Sequence, residues 1–187
     1  INPYGASKLA SENMIKWVCN AYDMHYCIFR YFNVAGADAS LEIGLKKDVL
    51  THLIPVAIQA GLKIRDHLDI YGKDYDTKDG TCVRDYIHVS DLARAHVLGA
   101  EYLVKNKKSL LVNLGSNEGY SVKEVVDVVS KYLDVKYEYA ARREGDPAKL
   151  IASNEKAKEL LGWVPKYNLD DMVRSDLEFR KKINNIK

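Results

Sequence analysis

The chain has 187 residues, of which 47% are hydrophobic and 29% charged, so it contains enough apolar sequence to build a core. Its 28 lysines and arginines are interspersed with 26 aspartates and glutamates, a balance that predicts no nucleic-acid partner. No apolar run approaches the roughly 20 residues that cross a bilayer, so we expect no membrane association. Three scattered cysteines favour a reducing compartment, by default the cytoplasm. Because the sequence begins at Ile1 rather than Met, it reads as a piece of a longer chain.

The first third of the chain predicts a long helix, a strand, a loop and a short helix. Apolar residues recur at spacings near 3.6 from Asn2 to Tyr22, which indicates a helix. The dense apolar and aromatic run from Met24 to Phe32 is typical of a strand covered on both faces. A polar stretch over 33–48 predicts a loop long enough to be functional, and a short helix follows from His52 to Gly61.

The rest of the chain alternates between predicted strands and helices. Strands are predicted over Leu68–Tyr71, Val83–Val89, Leu110–Leu114 and Lys136–Ala140, and helices over Asp91–Val104, Val122–Leu133, Asn154–Leu161 and Leu169–Ile183. Ser90 is the expected N-cap of the first of these helices, and Ser121 with Glu124 forms a capping box for the second. This alternation predicts an α/β fold.

Tyr4 and Lys8 are the first candidates for chemistry. Residues four apart lie on one helix face, so the phenol and the ammonium can reach a common ligand. A neighbouring cation favours the phenolate, which makes the phenol a better base. An ordinary amphipathic helix produces the same spacing by chance, and the pair alone does not decide between the two interpretations.

Three further polar residues are suited to binding a phosphorylated ligand. Arg84 and Arg143 can donate forked, charge-assisted hydrogen bonds, and Asn33 follows an apolar strand at the edge where ligands bind. Each has an ordinary alternative, such as a surface ion pair between Arg84 and Asp85. The histidines lack metal-ligand spacing, so no metal is predicted. The eleven glycines include no G-x-G-x-x-G, so the usual dinucleotide phosphate cradle is missing from the sequence.

Several motifs in order resemble the UDP-glucose 4-epimerases of the extended short-chain dehydrogenase/reductase family. They are N-P-Y-G-A-S-K at residues 2–8, R-Y-F-N at 30–33, D-G-T-C-V-R-D-Y-I-H-V at 79–89, R-R-E-G-D at 142–146 and L-G-W at 161–163. The resemblance covers essentially the whole chain and implies that the glycine-rich first half of the family lies upstream. We therefore expect the C-terminal part of a Rossmann-like, doubly wound parallel sheet plus a small α/β substrate-binding domain.

The resemblance also implies a division into domains. Residues 1–35 would be the remnant of the NAD-binding domain, with the Tyr-x-x-x-Lys helix and the following strand. Residues 36–187 would mainly bind the UDP-sugar, and 80–115 would return in part to the Rossmann sheet.

The function implied by the resemblance is the NAD-dependent interconversion of UDP-glucose and UDP-galactose through a 4-keto sugar, a step of galactose metabolism. Tyr4 would be the base and Lys8 would hold the nicotinamide ribose, with Tyr31 also near the cofactor. The implied substrate contacts are Asn33, Arg84 and Arg143 to the phosphates, Asp146 to a ribose hydroxyl, Ile70 and Tyr71 flanking uracil, His52 facing the ligand, Leu53 through its backbone, and Leu150 beside the sugar.

Two positions depart from or qualify the family pattern. His52 stands where some members carry Asn, and Leu150 is a medium-sized residue where side-chain size gates an N-acetyl group. UDP-N-acetylhexosamines therefore stay open as substrates.

Two alternatives stay open at this stage. One is another nucleotide-sugar enzyme of the superfamily, a dehydratase, a decarboxylase or a uronate epimerase. The other is a non-catalytic UDP-sugar-binding fragment, since the chain taken alone lacks the cofactor cradle and is expected to be inactive. The resemblance also implies that the intact enzyme is a homodimer that pairs through the Tyr4 helix and the helix before it.

Overall fold

A computed structural model describes residues 3–186, in which helices and strands alternate along most of the chain. The helices are α1 (Pro3–Ala21), α2 (Leu53–Gly61), α3 (Val89–Asn106), α4 (Val122–Ser130), α5 (Glu155–Leu161) and α6 (Leu169–Ile183). The strands are β1 (Cys27–Tyr31), β2 (Asn33–Ala35), β3 (Leu68–Tyr71), β4 (Val83–Arg84), β5 (Tyr86–His88), β6 (Leu110–Leu114), β7 (Tyr120–Ser121), β8 (Tyr137–Ala140) and β9 (Lys149–Leu150). The predicted first residue of the first helix, Asn2, lies outside the described residues.

Strand pairing is mainly parallel. β1 pairs with β6, β2 with β5 and β3 with β8, each in parallel, so that Cys27 lies opposite Leu110 and Asn33 opposite Tyr86. β4 lies between β7, its antiparallel neighbour, and β9, its parallel neighbour. Parallel strands need long crossovers, which the helices provide. The predicted α/β architecture is confirmed.

Two hydrophobic clusters form the core. The larger one contains most of α2, the inward faces of α4 and α6, and Leu68 and Ile70 of β3. The smaller one joins β5, β6 and α3 to Trp163, whose indole N–H donates to the backbone oxygen of Asp91 over 2.9 Å. The first cluster supports the walls of the site described below, because β3, α2 and α4 all contribute to it.

Three predicted boundaries are wrong. His88, not Ser90, is the N-cap of α3, because its imidazole accepts a hydrogen bond from the Ser90 amide. The strand predicted over 83–89 breaks at Asp85, whose carboxylate turns inward. The strand predicted over Met24–Phe32 is shorter, at Cys27–Tyr31, and its side chains are half-buried or exposed rather than covered on both faces.

Most of the remaining differences between the predicted and the observed elements are short strands. β2 lies inside the stretch predicted to be a loop, and β7 and β9 were not predicted. α4 ends at Ser130, three residues before the predicted end. The pairing of β1 with β6 and of β2 with β5 is the arrangement expected if 80–115 returns to the sheet begun by residues 1–35. The division into two domains, 1–35 and 36–187, stays a prediction.

Candidate active site

A cavity of about 400 Å³ lies between the start of β2, the first turn of α2, β3, β4, the first residue of α4 and the segment around Arg143. Seven of the residues predicted to contact a nucleotide sugar line it: Asn33, His52, Leu53, Tyr71, Arg84, Arg143 and Asp146. They come from five separate stretches of sequence. The fold therefore brings together most of the predicted substrate contacts.

The two terminal nitrogens of the Arg84 guanidinium have different surroundings. Nη1 donates to the backbone oxygens of Val83 and Pro147, each over 2.8 Å. Nη2 is buried and has no hydrogen-bond partner within residues 3–186, although it lies 3.5 Å from an Asp146 oxygen. A buried donor without an acceptor costs free energy, about 1–3 kcal/mol. An anionic ligand in the cavity would supply the missing acceptor.

The predicted alternative for this arginine, a surface ion pair with Asp85, is wrong. Arg84 is mostly buried, and its carboxylate neighbour is Asp146 rather than Asp85. The Asp85 carboxylate instead accepts hydrogen bonds from Ser116 and from the Ala152 amide. The two adjacent side chains therefore point to different parts of the molecule.

A second guanidinium lies on an aromatic ring. The central carbon of Arg143 is 3.9 Å from the centroid of the Tyr71 ring, and both residues line the cavity. Planar guanidinium groups stack on aromatic faces and keep their in-plane N–H donors available. Tyr71 therefore holds Arg143 in place, and within residues 3–186 the Arg143 donors have no hydrogen-bond partner, so they can reach a ligand.

The N-terminus of α2 forms another part of the wall. His52 is the N-cap of α2 in an extended conformation, and its side chain makes no capping hydrogen bond. The Leu53 position opens the helix, whose first amide groups have no intrahelical acceptors. Helix N-termini attract negative charge, so this wall favours an anion as Arg84 and Arg143 do.

Asn33 is fixed by the neighbouring strand. Its backbone amide and its side-chain amide both donate to the backbone oxygen of Asp85, over 3.2 Å and 2.8 Å. This uses side-chain N–H capacity and leaves the side-chain oxygen as an acceptor. Asn33 therefore presents a positioned amide at the start of β2.

Sequence reasoning missed several lining residues. Arg65, Asp69, Cys82 and Tyr86 also border the cavity. Strand alternation gave a usable signal for Asp69, since Leu68 and Ile70 point into the core and Asp69 lies on the same face as Tyr71. Burial raises the pKa of the Cys82 thiol, so it is protonated at neutral pH and unsuited to act as a nucleophile.

Two predicted contacts lie outside the cavity wall. Ile70 is buried in the core, so any contact with a ligand would have to involve its main chain. Leu150 is exposed on β9, paired in register with Arg84, and is not among the residues of 3–186 that line the cavity. Both roles stay predictions.

Tyr4 and Lys8 lie together on α1, apart from the cavity wall. The Lys8 ammonium is 5.5 Å from the centroid of the Tyr4 ring, as the spacing of four predicts. Tyr4 is 71% exposed, and Tyr31 is exposed at the end of β1. The pair is therefore assembled and open to a ligand.

The described part of the chain contains no group of three or more histidine, cysteine, aspartate or glutamate residues arranged to hold a metal ion. Within the same residues, no helix combines the length and the apolar character needed to cross a bilayer.

Comparison with known proteins shows the family. A family model described as GDP-mannose 4,6 dehydratase matches residues 1–175, so the chain belongs to this family. It is 50% identical over 186 residues to the UDP-glucose 4-epimerase of Azospirillum brasilense, covering 98% of the chain and 53% of that protein. It is 48% identical over 184 residues to the enzyme of the same name from Halalkalibacterium halodurans, covering 97% and 55%. The predicted resemblance to UDP-glucose 4-epimerases is confirmed.

Solved structures agree with this relationship. A UDP-glucose 4-epimerase from Stenotrophomonas maltophila, with bound NAD and formylated UDP-arabinopyranose, matches with a TM-score of 0.94 at 34% identity, over 100% of this chain and 57% of that one. The Brucella ovis enzyme in complex with NAD matches with a TM-score of 0.91 at 46% identity, over 95% and 56%. The chain therefore spans about half the length of the relatives it matches.

Proposed function

We propose that the chain is the UDP-binding part of an NAD-dependent UDP-glucose 4-epimerase and that it also carries that enzyme's Tyr-Lys pair. The observation that carries the proposal is the cavity in which the buried Arg84 Nη2 has no hydrogen-bond acceptor among residues 3–186 while Arg143 stacks on Tyr71. Two guanidinium groups and a helix N-terminus around one cavity suit a diphosphate. The relatives named above support the same sugar-nucleotide chemistry.

Most of the proposed substrate contacts are residues of the cavity wall, and Ile70 and Leu150 are proposed in addition to them. Asn33, Arg84 and Arg143 bind the diphosphate, and Asp146 accepts from a ribose hydroxyl. Tyr71 packs against the uracil beside the main chain of Ile70, while His52 and the Leu53 backbone face the phosphates or the sugar. Leu150 borders the sugar, and its size leaves room to test UDP-N-acetylhexosamines as well.

The residues of α1 and β1 fit the nicotinamide end of NAD. On the exposed face of α1 the Lys8 ammonium lies 5.5 Å from the centroid of the Tyr4 ring, so the two groups can bond one ribose and one sugar hydroxyl. The chain has no glycine-rich sequence for the cofactor's pyrophosphate, so it can hold only one end of the cofactor. When bound, NAD would take a hydride from the sugar C4 and give it back.

The chain's own residues would then transfer a proton and position the sugar. Tyr4 removes the proton of the sugar 4-hydroxyl and later returns it, Lys8 stabilises the phenolate and holds the ribose, and Tyr31 packs beside the cofactor. Binding energy placed on UDP by Arg84 and Arg143 keeps the oxidised sugar from leaving while its ring presents the other face.

The proposal is tested by measuring the products that the full-length protein forms. With UDP-galactose we expect UDP-glucose and no release of water or carbon dioxide. Tyr4→Phe is expected to lower kcat by about 100-fold or more while UDP affinity stays unchanged, since it removes a proton acceptor and not a binding group. Dehydrated or decarboxylated products would reject the epimerase in favour of another nucleotide-sugar enzyme of the superfamily.

The isolated 187-residue chain has its own expected behaviour. We expect it to bind UDP weakly and to show no turnover, as a non-catalytic fragment would. Epimerase activity from this chain alone, without added polypeptide, would contradict that expectation.

The proposal also includes an environment and an assembly. All three cysteines are free, which supports a reducing compartment, by default the cytoplasm. The exposed apolar face of α1 supports a homodimer that pairs through this helix.

A further inference from the structure

Asp85 lies directly behind the cavity, between β4 and β5, and is fully buried at 0% exposure. Both of its carboxylate oxygens are occupied. Oδ1 accepts from the Ser116 amide over 2.8 Å and from the Ser116 hydroxyl over 2.6 Å, and Oδ2 accepts from the Ala152 amide over 3.0 Å. One side chain therefore connects β4 to the segments that follow β6 and β9.

The main chain of Asp85 makes connections of its own. Its backbone oxygen accepts both amide bonds of Asn33, and its amide donates to the Leu150 oxygen over 3.1 Å. Arg84 precedes it directly. Asn33, Arg84 and Leu150, all assigned to the ligand in the proposed function, are thus bound to or adjacent to this one residue.

The carboxylate matters most for the segment that carries Asp146 and Leu150. That segment runs beside β4, where the Val83 amide donates to the Ala148 oxygen over 2.8 Å and Arg84 Nη1 donates to the Pro147 oxygen. The bond from the Ala152 amide to Asp85 closes this row at its end. Loss of the carboxylate would release the end of the segment. The Pro147 oxygen, which fixes Arg84 Nη1, belongs to the same segment and would become less well positioned.

The surroundings allow little compensation. A Cβ atom on Gly115 would lie 2.3 Å from Asp85 Oδ2, so the backbone approaches the carboxylate as closely as a glycine permits. No ion pair among residues 3–186 includes Asp85, so its charge is balanced only by hydrogen-bond donors. A carboxylate buried in this way is costly unless those donors are fixed.

We propose that Asp85 is a positioning residue for the nucleotide site, which it does not itself line. Resting on the proposed function, the inference is that the Asp85 carboxylate holds Arg84 and the segment around Asp146 in the arrangement that binds a diphosphate. It acts through Ser116 and Ala152 rather than by touching substrate.

The decisive variant is Asp85→Asn in the protein as encoded in full. The asparagine amide has one acceptor oxygen where the carboxylate has two. Its NH₂ group would therefore face a donor of Ser116 or Ala152, and at least one of the present hydrogen bonds would be lost. Asp91→Asn is the matched control. Asp91 is also fully buried and accepts from the amides of Lys166 and Tyr167 over 2.8 Å and 3.1 Å and from Arg94, but it lies on α3 outside the cavity wall.

UDP affinity is measured by calorimetry at a temperature well below the melting temperature of each variant, and NAD affinity is measured alongside. We expect both variants to have a lower melting temperature than the wild type. We expect Asp85→Asn to raise the Kd for UDP tenfold or more and Asp91→Asn to change it less than twofold. NAD affinity, assigned to α1 and β1, is expected to be unchanged in both.

Two results overturn the inference: a Kd for UDP within twofold of wild type in Asp85→Asn, or equal weakening in both variants. If Asp85→Asn does not fold, Ser116→Ala decides, because it keeps the carboxylate and removes the hydroxyl that donates to it. The same hydroxyl also accepts from the Glu118 and Gly119 amides, and neither of these residues lines the cavity. A rise of at least threefold in Kd supports the inference, and a smaller one overturns it. A wild-type protein that binds no UDP rejects the proposed function itself, which distinguishes the two failures.

Discussion

At the scale of single residues, Arg84 shows how a guanidinium can be both structural and available. Nη1 is used by the Val83 and Pro147 oxygens, while Nη2 stays buried without an acceptor in the described residues. A lysine cannot reproduce this geometry. Its one nitrogen cannot occupy both the position that bonds the Pro147 oxygen and the position that faces the ligand.

We therefore expect Arg84→Lys to raise the Kd for UDP by about 10- to 100-fold, the equivalent of one charge-assisted hydrogen bond. Isothermal titration of the full protein measures it. Arg142→Lys is the control, since Arg142 bonds Asp74 and stacks on Tyr75 without lining the cavity. Equal affinity in the Arg84 and Arg142 variants would show that Arg84 does not hold the diphosphate.

His88 is a second residue whose role depends on its exact bonding. Nδ1 accepts from the Ser90 amide, so the ring proton is on Nε2, which donates to the Ser175 hydroxyl over 3.1 Å. The ring also stacks on Tyr167 at 4.2 Å. The neutral imidazole thus caps α3 and ties it to α6, and a second proton would remove the cap.

Burial lowers the pKa of His88 below its ordinary value, and the nearby carboxylates of Asp91 and Asp171 offset only part of this effect. The unfolded chain therefore takes up this proton at higher pH than the folded one. The stabilisation is fully present above about pH 6.5, the ordinary histidine value, and is lost as the pH falls below it.

We expect melting temperatures between pH 7.5 and 5.5 to fall more steeply for the wild type than for His88→Asn, whose amide can cap without titrating. His25→Asn, at an exposed position, is the control and should follow the wild type. Parallel curves for wild type and His88→Asn would exclude His88 as the cause.

At the scale of elements, the start of α4 combines local and distant contacts. The Ser121 hydroxyl accepts from the Glu124 amide over 3.0 Å, Glu124 accepts from the Ser121 amide over 2.8 Å, and the same hydroxyl donates to Asp79. Asp79 also accepts from Thr81. The cap therefore fixes the loop before β4 as well as the helix.

We expect Ser121→Ala to reduce the free energy of unfolding by about 2 kcal/mol, because the helix cap and the hydrogen bond to the Asp79 carboxylate are lost together. Chemical denaturation measures it. Ser130→Ala, at the exposed end of the same helix, should cost less than about 0.5 kcal/mol. Equal costs at the two ends would contradict the role given to the cap.

The elements that sequence predicted are those with strong local signals. The capping box at Ser121 and Glu124 and the strand Leu110–Leu114 were predicted correctly because neighbouring residues encode them. β7 and β9 have two residues each and form only where distant segments pair with β4. No local sequence pattern therefore predicts them. His88 was missed as an N-cap because histidine rarely serves as one.

The same reasoning applies to the site. Motif resemblance placed Arg84, Arg143 and Asp146, and the structure brings them to one cavity. Arg65 was missed because it belongs to no strand or helix and reaches the cavity only through the folding of the chain around it. Leu150 was expected near the ligand but lies outside the cavity wall, since its position depends on the pairing of β9 with β4.

At the scale of the whole molecule, α1 stands apart from the two cores. None of its residues is buried, and a two-point ion pair between Glu12 and Arg30, with both N···O distances at 2.6 Å, joins it to β1. The molecule exposes 11474 Å² of surface, against about 9,000 Å² expected for a compact protein of its mass. The excess indicates that the chain presents a surface suited to covering by another polypeptide.

The exposed stripe of α1 contains Met14, Trp17 and Val18, which the helical repeat places on one face. Apolar patches of this kind drive association. We expect the 187-residue chain to sediment as a dimer or larger species at micromolar concentration, and Met14→Lys with Trp17→Glu to shift it to the monomer. Val104→Glu, at an apolar site on α3 that is 71% exposed, should leave association unchanged. Association that persists in the α1 double variant, or that Val104→Glu also abolishes, would assign the contact to another surface.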